Sequence, residues 1–184
     1  MQYPYVCPNE HPFDSSRVES YNEFKLYDNV IHISLREDKI ARVDVDLWPY
    51  LSQYRWKLAP GFKDYAVSWV NNRLVYQHNL ILPLPEGFTV DHEDGDGLNN
   101  VKSNLRPATN SQQGANTRLR VNNTSGFKGV KRHKNKWRVC IQADGKRVCY
   151  DGFRTPEEAA EIYDQLATEK FGEYAKTNKM LGLL

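Results

Sequence analysis

Cysteine is scarce in this chain of 184 residues: Cys7, Cys140 and Cys149 are the whole complement, and no two form a C-x-x-C pair. That is too few for a disulfide framework, and it removes a thiolate zinc site from consideration. Any metal would be held by carboxylate, amide, imidazole and water, a donor set that suits Mg²⁺ or Mn²⁺. Long apolar runs are also missing. No stretch approaches the roughly 20 residues that span a bilayer, so no membrane association is expected. Met1 to His11 has no basic stretch followed by an apolar one, so no secretory signal is expected and a cytoplasmic protein is the plain reading. In that setting Cys140 and Cys149 are expected as two thiols.

Net charge is close to balance, at +2 from 25 Lys and Arg against 23 Asp and Glu, but its distribution is uneven. Between Arg118 and Tyr150 ten basic residues (Arg118, Arg120, Lys128, Lys131, Arg132, Lys134, Lys136, Arg138, Lys146 and Arg147) face a single acid, Asp144, a local excess of +9. Phe127, Trp137 and Tyr150 are interleaved with them. This is the footprint of a surface that binds phosphate, with a merely solvated basic face as the bland alternative.

Residues 1–28 carry no assignable pattern. Alternation in Val30–Leu35 and Ala41–Val45 predicts short strands, and Asp46–Leu51 a turn or short helix. Tyr65–Val70 and Leu74–His78, joined at Asn71-Asn72, predict a hairpin, and Phe88–Val90 a further strand after Pro83, Pro85 and Gly87. Asp91–Arg106 reads as a polar loop. Asn110 is the expected N-cap of a short helix reaching about Asn116. Residues 117–125 read as a linker, so the domain boundary is placed at 117/118. Beyond it come strands Gly129–His133, Lys136–Ala143 and Lys146–Tyr150, with an Asp144-Gly145 turn. A helix over Pro156–Phe171 follows, with Thr155 as N-cap, Pro156 at the first position and Gly172 at the end.

Asp91-His92 follows a strand and opens a loop holding Asp94, Asp96, Asn99, Asn100 and Asn104. A carboxylate beside an imidazole can hold a divalent cation against a phosphate and deprotonate water near neutral pH. On a strand the two side chains would point to opposite faces, so a bend is needed for joint action. The acidic loop superficially matches a calcium loop but lacks the closing Glu. His11, His32 and His133 read as ordinary surface or packing residues. The wider pattern is His78-Asn79-Leu80-Ile81, Pro85-Glu86-Gly87, Val90-Asp91-His92, Asp94-Gly95-Asp96, Asn99-Asn100 and Ser103-Asn104-Leu105-Arg106. It resembles the HNH homing endonucleases of phages and bacteria over roughly residues 30–117.

That resemblance implies a ββα-metal site with one Mg²⁺ or Mn²⁺. By position, Asp91 matches a metal ligand and His92 the general base. Asn104, twelve residues on, matches the amide that orients the histidine and ties the loop together. The second ligand position is Gln113, where the family commonly has Asn, with Asn116 one turn on as the alternative. Asn79 stands where the family usually has Arg. His78 either joins the catalytic group or satisfies a bond in the core.

In the C-terminal part, an Asp144-Gly145 turn places Ile141 opposite Val148, Val139 opposite Tyr150 and Cys140 opposite Cys149. Val139, Ile141, Val148, Tyr150 and Trp137 would then be buried under the helix, leaving Arg138, Gln142 and Arg147 on an open face. Ser125–Val130, Lys136-Trp137, Gly152-Phe153, Thr155–Ala160, Tyr163-Asp164 and Tyr174–Asn178 resemble the Apetala-type (ethylene-response-factor) DNA-binding domain over about residues 122–178. The resemblance implies DNA contacts from Lys128, Lys131, Arg132, Lys136, Arg138 and Arg147. The charge pattern adds Arg118, Arg120 and Lys134, and Gln142 has the chemistry to read adenine in a major groove.

The expected fold is α+β: a ββα-metal nuclease domain over 29–117, then a three-stranded antiparallel sheet packed on one helix over 118–178, with a tail at 179–184. The expected function is a DNA endonuclease of the mobile-element type, acting on double-stranded DNA as a monomer or weak homodimer in a bacterial or phage-infected cell. A decayed HNH protein acting as a DNA-binding regulator is the alternative. An RNA-binding protein is the third reading, disfavoured because the sheet lacks a clear set of exposed stacking aromatics.

Overall fold

A computed structural model describes residues 20–61, 64–143 and 145–184. Cys7, His11 and Asp144 therefore lie outside the described residues, as does the unassigned segment up to residue 19. The architecture is α+β, with several small antiparallel sheets and short helices. The chain separates into two compact units, one formed by residues up to Glu86 together with Val90–Pro107, the other by Gly87–Thr89 together with Ala108–Leu184.

In the first unit, β1 (Phe24–Tyr27), β2 (Val30–Ser34) and β3 (Ile40–Asp44) form an antiparallel meander. The alternation that predicts β2 and β3 has its expected cause. Ile31, Ile33, Ala41 and Val43 are fully buried while His32 and Arg42 lie on the other face. They pack against Trp48 and Leu51 of α1 (Trp48–Leu51) and against Trp56 and Leu58. Strands β4 (Lys57–Leu58), β5 (Ala66–Val70) and β6 (Arg73–Tyr76) make a second antiparallel sheet. Asn71 and Asn72, with φ of 50° and 60°, form the two-residue left-handed turn between β5 and β6, a conformation that Asn tolerates better than most residues. The second hairpin arm ends sooner than expected, because Gln77 and His78 open helix α2 (Gln77–Ile81). β7 (Thr89–His92) pairs with β8 (Leu105–Ala108), and β8 arises inside the segment expected to be loop.

In the second unit, β9 (Val130–His133), β10 (Lys136–Ala143) and β11 (Lys146–Phe153) form an antiparallel sheet with β10 central. Helix α4 (Pro156–Phe171) has the predicted ends. The Thr155 side chain accepts from the Glu158 amide, Pro156 sits in the first turn, and Gly172 closes the helix with φ of 53°. Its stripe of Ala159, Ala160, Tyr163, Ala167 and Phe171 is buried with Val130, Val139 and Ile141. Asn178 is fully buried and closes the unit. Its side chain accepts from the Lys128 amide and donates to the Lys128 carbonyl and to Asp164.

Four expectations need correction here. The register is as expected, but Val148 and Tyr150 are 41% and 47% exposed, because the core under α4 is built from β9 and β10 and leaves β11 as an open edge. Cys140 and Cys149 form a disulfide rather than two thiols; as directly opposed residues on neighbouring strands, their Cα atoms are 4.2 Å apart, which brings the two sulfurs within bonding reach. Helix α3 (Asn110–Ala115) is capped by Thr109, not Asn110: the Thr109 hydroxyl accepts from the Gln112 amide while the Gln112 side chain accepts from the Thr109 amide. Finally, α3 belongs by packing to the second unit, since Ala115 is buried in the α4 core. The continuous part of this compact unit begins at Ala108, ten residues before the boundary read from the linker composition.

Gly129 gives the second unit a sharp test. Its φ is +76°, and an added Cβ would lie 2.0 Å from the Tyr163 ring. Gly126 has φ of +81° but open space around it. Gly129→Ala is expected to lower unfolding stability by about 2–4 kcal/mol, from strain plus overpacking, and Gly126→Ala by only about 1 kcal/mol. Urea titration of the two variants against wild type measures the difference; equal losses would mean that Tyr163 yields.

Candidate active site

Strand β7 delivers Asp91 and His92 side by side, and both are buried, each 6% exposed. Their surroundings differ, as expected for neighbours on a strand. Asp91 Oδ2 accepts from Arg106 Nε at 3.0 Å, a contact from β8 to β7 in which both side chains are largely shielded from water. A buried carboxylate without such a cation would be costly, so Arg106 makes the charge at Asp91 tenable. His92 faces a different set of groups. Its Nε2 lies 2.9 Å from Asn100 Oδ1, and its ring meets His78 edge-on at 5.1 Å and Tyr65 at 5.9 Å.

The loop after His92 is a set of turns closed by its own polar side chains. Asp94 Oδ1 accepts from the Asp96 amide and from Asn104 Nδ2, and Asp94 Oδ2 accepts from Asn99 Nδ2. Partial burial works to raise the Asp94 pKa, but the hydrogen bonds from Asn99, the Asp96 amide and Asn104 outweigh it and hold the carboxyl below its ordinary value. Asn104 also donates to the Asn99 carbonyl and accepts from the Asp94 amide. Asn104 thus joins Asp94 to Asn99 across the loop, and the amide oxygen that meets His92 Nε2 is that of Asn100. The loop is fastened to the meander through Arg42 of β3. The Arg42 amide donates to the Leu98 carbonyl, the Asn100 amide donates to the Arg42 carbonyl, and the Arg42 guanidinium binds Asp96 at 2.5 Å. Gly97 is required for this seat, because a Cβ there would lie 2.3 Å from the Asp64 carbonyl oxygen.

His78 is buried beside this group, with Tyr65 and Tyr76 against its ring, and its Nδ1 has no hydrogen-bond partner within the described residues. Burial first, and then the nearby His92, push its pKa down to about 3. It is a neutral ring at physiological pH and packs on the site. Gln77, next to it on α2, is fully buried and accepts from Asn100 Nδ2 at 2.8 Å. Asn100, Gln77 and Arg106 are the residues of this neighbourhood to which sequence reasoning assigned no role. An N-N dipeptide after the acidic turn was the only available signal for Asn100.

Gln113 and Asn116 lie in the second unit, on α3 and at its C-cap, half-buried and buried respectively. As for metal, no group of three or more His, Cys, Asp or Glu side chains that could hold an ion occurs among the described residues. The carboxylate of Asp91 is nonetheless an oxygen donor of the kind that suits a hard divalent cation, which keeps several waters and takes further ligands from substrate phosphates.

The basic residues divide on inspection. Arg118, Arg120, Lys131, Arg132, Lys134, Lys136, Gln142 and Arg147 are solvent-exposed. Lys131, Arg138, Gln142 and Arg147 share one face of the sheet by register, with the Cys140–Cys149 disulfide in its midst. A cleft of about 720 Å³ in this unit is lined by Arg118, Arg120, Lys131, Gln142 and Arg147. Arg132 lies over the Trp137 ring, 5.2 Å from its centroid. Two expected DNA contacts are otherwise engaged. Arg138 is paired with Asp151 through two hydrogen bonds, at 2.5 and 2.7 Å. Lys128 is a correction: it is only 8% exposed, and its Nζ donates to the carbonyls of Ala115, Thr117 and Lys176. An ammonium held by the carbonyls of Ala115 and Thr117, at and just past the C-terminal end of α3, and by that of Lys176 is a structural clamp, not a phosphate contact. Burial and the nearby Lys176 lower its pKa to about 8.

The HNH endonuclease family model matches residues 83–115, the stretch that holds Asp91, His92, Asn104 and Gln113. An uncharacterized HNH endonuclease of Acanthamoeba polyphaga mimivirus, L560, is 32% identical over 177 residues, covering 91% of this chain and 91% of its own length. The chain belongs to the HNH endonuclease family. A second relative, protein 3.8 of Escherichia phage T7, is 34% identical over 96 residues, 51% of this chain and 78% of that protein. No solved structure matches. Membership in the HNH family makes the chain a nuclease hydrolase by descent, and no helix among the described residues is long and apolar enough to cross a membrane.

His78 makes the HNH unit sensitive to acid with a definite sign. The unfolded chain takes up a proton on this ring at a pKa near 6.5, whereas the folded chain resists it until about 3. Its contribution to stability is therefore present above pH 6.5 and lost as pH falls toward 3. Urea midpoints measured from pH 7 to 4 are expected to fall, and His78→Leu to flatten that slope. Parallel slopes would remove His78 as the source.

Proposed function

We propose that this protein is a metal-dependent endonuclease acting on double-stranded DNA, with His92 as the general base and Asp91 as a metal ligand. The observation that carries the reading is the buried carboxylate–imidazole pair at the end of β7, inside the segment matched by the family. The second ligand is Gln113 or Asn116, the metal Mg²⁺ or Mn²⁺, one per site. When bound, the ion supplies a positive centre for the charge that develops on the phosphate and on the departing oxygen. His92 takes a proton from the water that attacks phosphorus. Arg106 holds the Asp91 carboxylate in place, and Asn104 fixes the loop that follows His92.

The second unit grips the DNA. The exposed Arg118, Arg120, Lys131, Arg132, Lys134, Lys136 and Arg147, with Gln142 and the half-buried Arg138, support a phosphate-binding surface of the Apetala type. A three-stranded sheet with a helix on its back face is consistent with that assignment. The arrangement fits a mobile-element (homing) nuclease of a bacterial or phage-infected cell, working as a monomer or weak homodimer.

Plasmid incubated with the protein is expected to be nicked or linearised with Mg²⁺ or Mn²⁺, and to stay intact with EDTA or with His92→Ala. Gln113→Asn, which restores the commoner ligand, is expected to keep or raise activity. Intact plasmid under every divalent metal, with binding retained, would leave the alternative of a decayed nuclease that regulates by binding DNA.

The grip has its own test. With roughly five phosphate contacts, log K against log salt is expected to slope by about −4 to −5, and each exposed Lys or Arg changed to Gln to reduce that slope by about one. A flat response would remove the basic segment as the binding surface.

A further inference from the structure

The sheet formed by β4, β5 and β6 has two faces with different surroundings. On one, Leu58 and Ala66 oppose each other in the register and are buried in the core of the first unit. The other carries Lys57, Val67, Trp69, Leu74 and Tyr76, since Lys57 and Tyr76 flank Val67 in register and Trp69 opposes Leu74. At its inner end this face joins the candidate site. Tyr76 packs against His78 and against Tyr65, the residue before β5, and the Tyr65 ring in turn meets His92. At its outer end the face is bare. Trp69 is 66% exposed and Leu74 38%, side by side on adjacent strands, and Trp69 has no ring or hydrogen-bond partner among the described residues.

A single exposed apolar side chain is ordinary on a protein surface. Here two large ones stand in direct cross-strand register, and Trp69 gains so little burial from the pair that hairpin stability does not account for it. The surrounding charge identifies the partner. From Arg55 to His78 the sequence holds Arg55, Lys57, Lys63 and Arg73 against one acid, Asp64, and that acid is bound to Lys39 at 2.8 Å. Arg55, Lys57 and Arg73 are exposed, with no ion-pair partner among the described residues. A second copy of the same face would set like charges against each other, whereas a polyanion with apolar sugar and base surfaces suits both features.

We propose that the Trp69–Leu74 end of this sheet is a contact surface for duplex DNA beside the cleavage site. The apolar pair lies against deoxyribose and base surfaces, and Lys57 and Arg73 take flanking phosphates. This deepens the nuclease reading and rests on it for the placement next to the scissile bond. Tyr65, which touches His92, is four positions before Trp69. That is roughly 13 Å of extended chain, so the contact falls about four base pairs from the phosphate held at His92. The basic segment of the second unit grips by charge; this surface adds apolar contact, which salt does not screen.

The test uses the full-length chain and a short synthetic DNA duplex, with EDTA present so that nothing is cut. The emission of Trp69 is isolated as the difference between wild type and Trp69→Phe, and added duplex is expected to shield it from quenching by acrylamide. Trp69→Ala is expected to weaken duplex binding about five- to twentyfold, with the urea midpoint and the salt slope unchanged. Leu74→Ala is expected to weaken it about two- to fivefold, and Arg73→Gln to lower the salt slope by about one. In plasmid cleavage with Mg²⁺ or Mn²⁺, Trp69→Ala is expected to raise KM by a factor similar to its loss of binding and to change kcat less. Unshielded Trp69 emission together with wild-type affinity in Trp69→Ala overturns the proposal, and the nuclease reading survives if plasmid is still cut. A dimer in sedimentation that Trp69→Ala dissociates, with DNA affinity unchanged, assigns the face to a second copy and overturns the proposal too. Shielding of Trp69 in a protein that cuts no plasmid under any divalent metal overturns the nuclease reading and leaves the DNA surface standing.

Discussion

The interaction on which the nuclease unit depends is a pair of backbone hydrogen bonds at Arg42. Both its amide and its carbonyl, on the open edge of β3, are taken by the segment Leu98–Asn100. An unpaired edge strand is normally a hazard for the wrong partner. Here the edge is used to hold a polar loop of two glycines and three acids that has little apolar surface of its own to bury. Arg42 adds its guanidinium to Asp96, and Asp94 gathers Asn99, Asn104 and the Asp96 amide. The order of the site therefore comes from the meander core of Ile31, Ile33, Ala41 and Val43, passed outward through the backbone of one residue.

Much of the fold was legible because it follows from strong local chemistry. The Asn71-Asn72 turn, the alternation of β2 and β3, and the capped helix after Thr155 each rest on residues whose preferences agree with their surroundings. The losses have physical causes too. β8 lies in a stretch with no apolar alternation, and it is a strand because it can pair with β7 and bring Arg106 to Asp91. Gln77 and His78 continue an alternating pattern, yet the chain turns helical there. Burial, not periodicity, decides their place.

The site was partly legible in the same sense. Asp91 and His92 stand out as a dipeptide, and their family context makes the assignment of roles natural. Asn100 does not stand out, because an amide gains its meaning only from which nitrogen it faces. Charge counting failed at a different point. The basic segment as read ends at Tyr150, and Asp151, one residue on, is the partner that engages Arg138. Lys128 contributed to the same count, although its charge is spent on three backbone carbonyls. A run of cations in sequence says how much charge is present, and only the fold says how much of it reaches solvent.

The Lys128 clamp has a bearing on how this molecule can be divided. Ala115 is embedded in the α4 core, and the carbonyls of Ala115 and Thr117 depend on a lysine from the far side of the linker. A fragment beginning at Arg118 would carry away the donor and leave its acceptors behind, stripping a hydrophobic socket of its plug at the same stroke. The helix that the family alignment assigns to the nuclease is thus, in mechanical terms, a root of the other module. Exchange of the second unit between relatives would have to cut before Ala108, taking the helix with its socket rather than separating them at the polar stretch that looks like the seam.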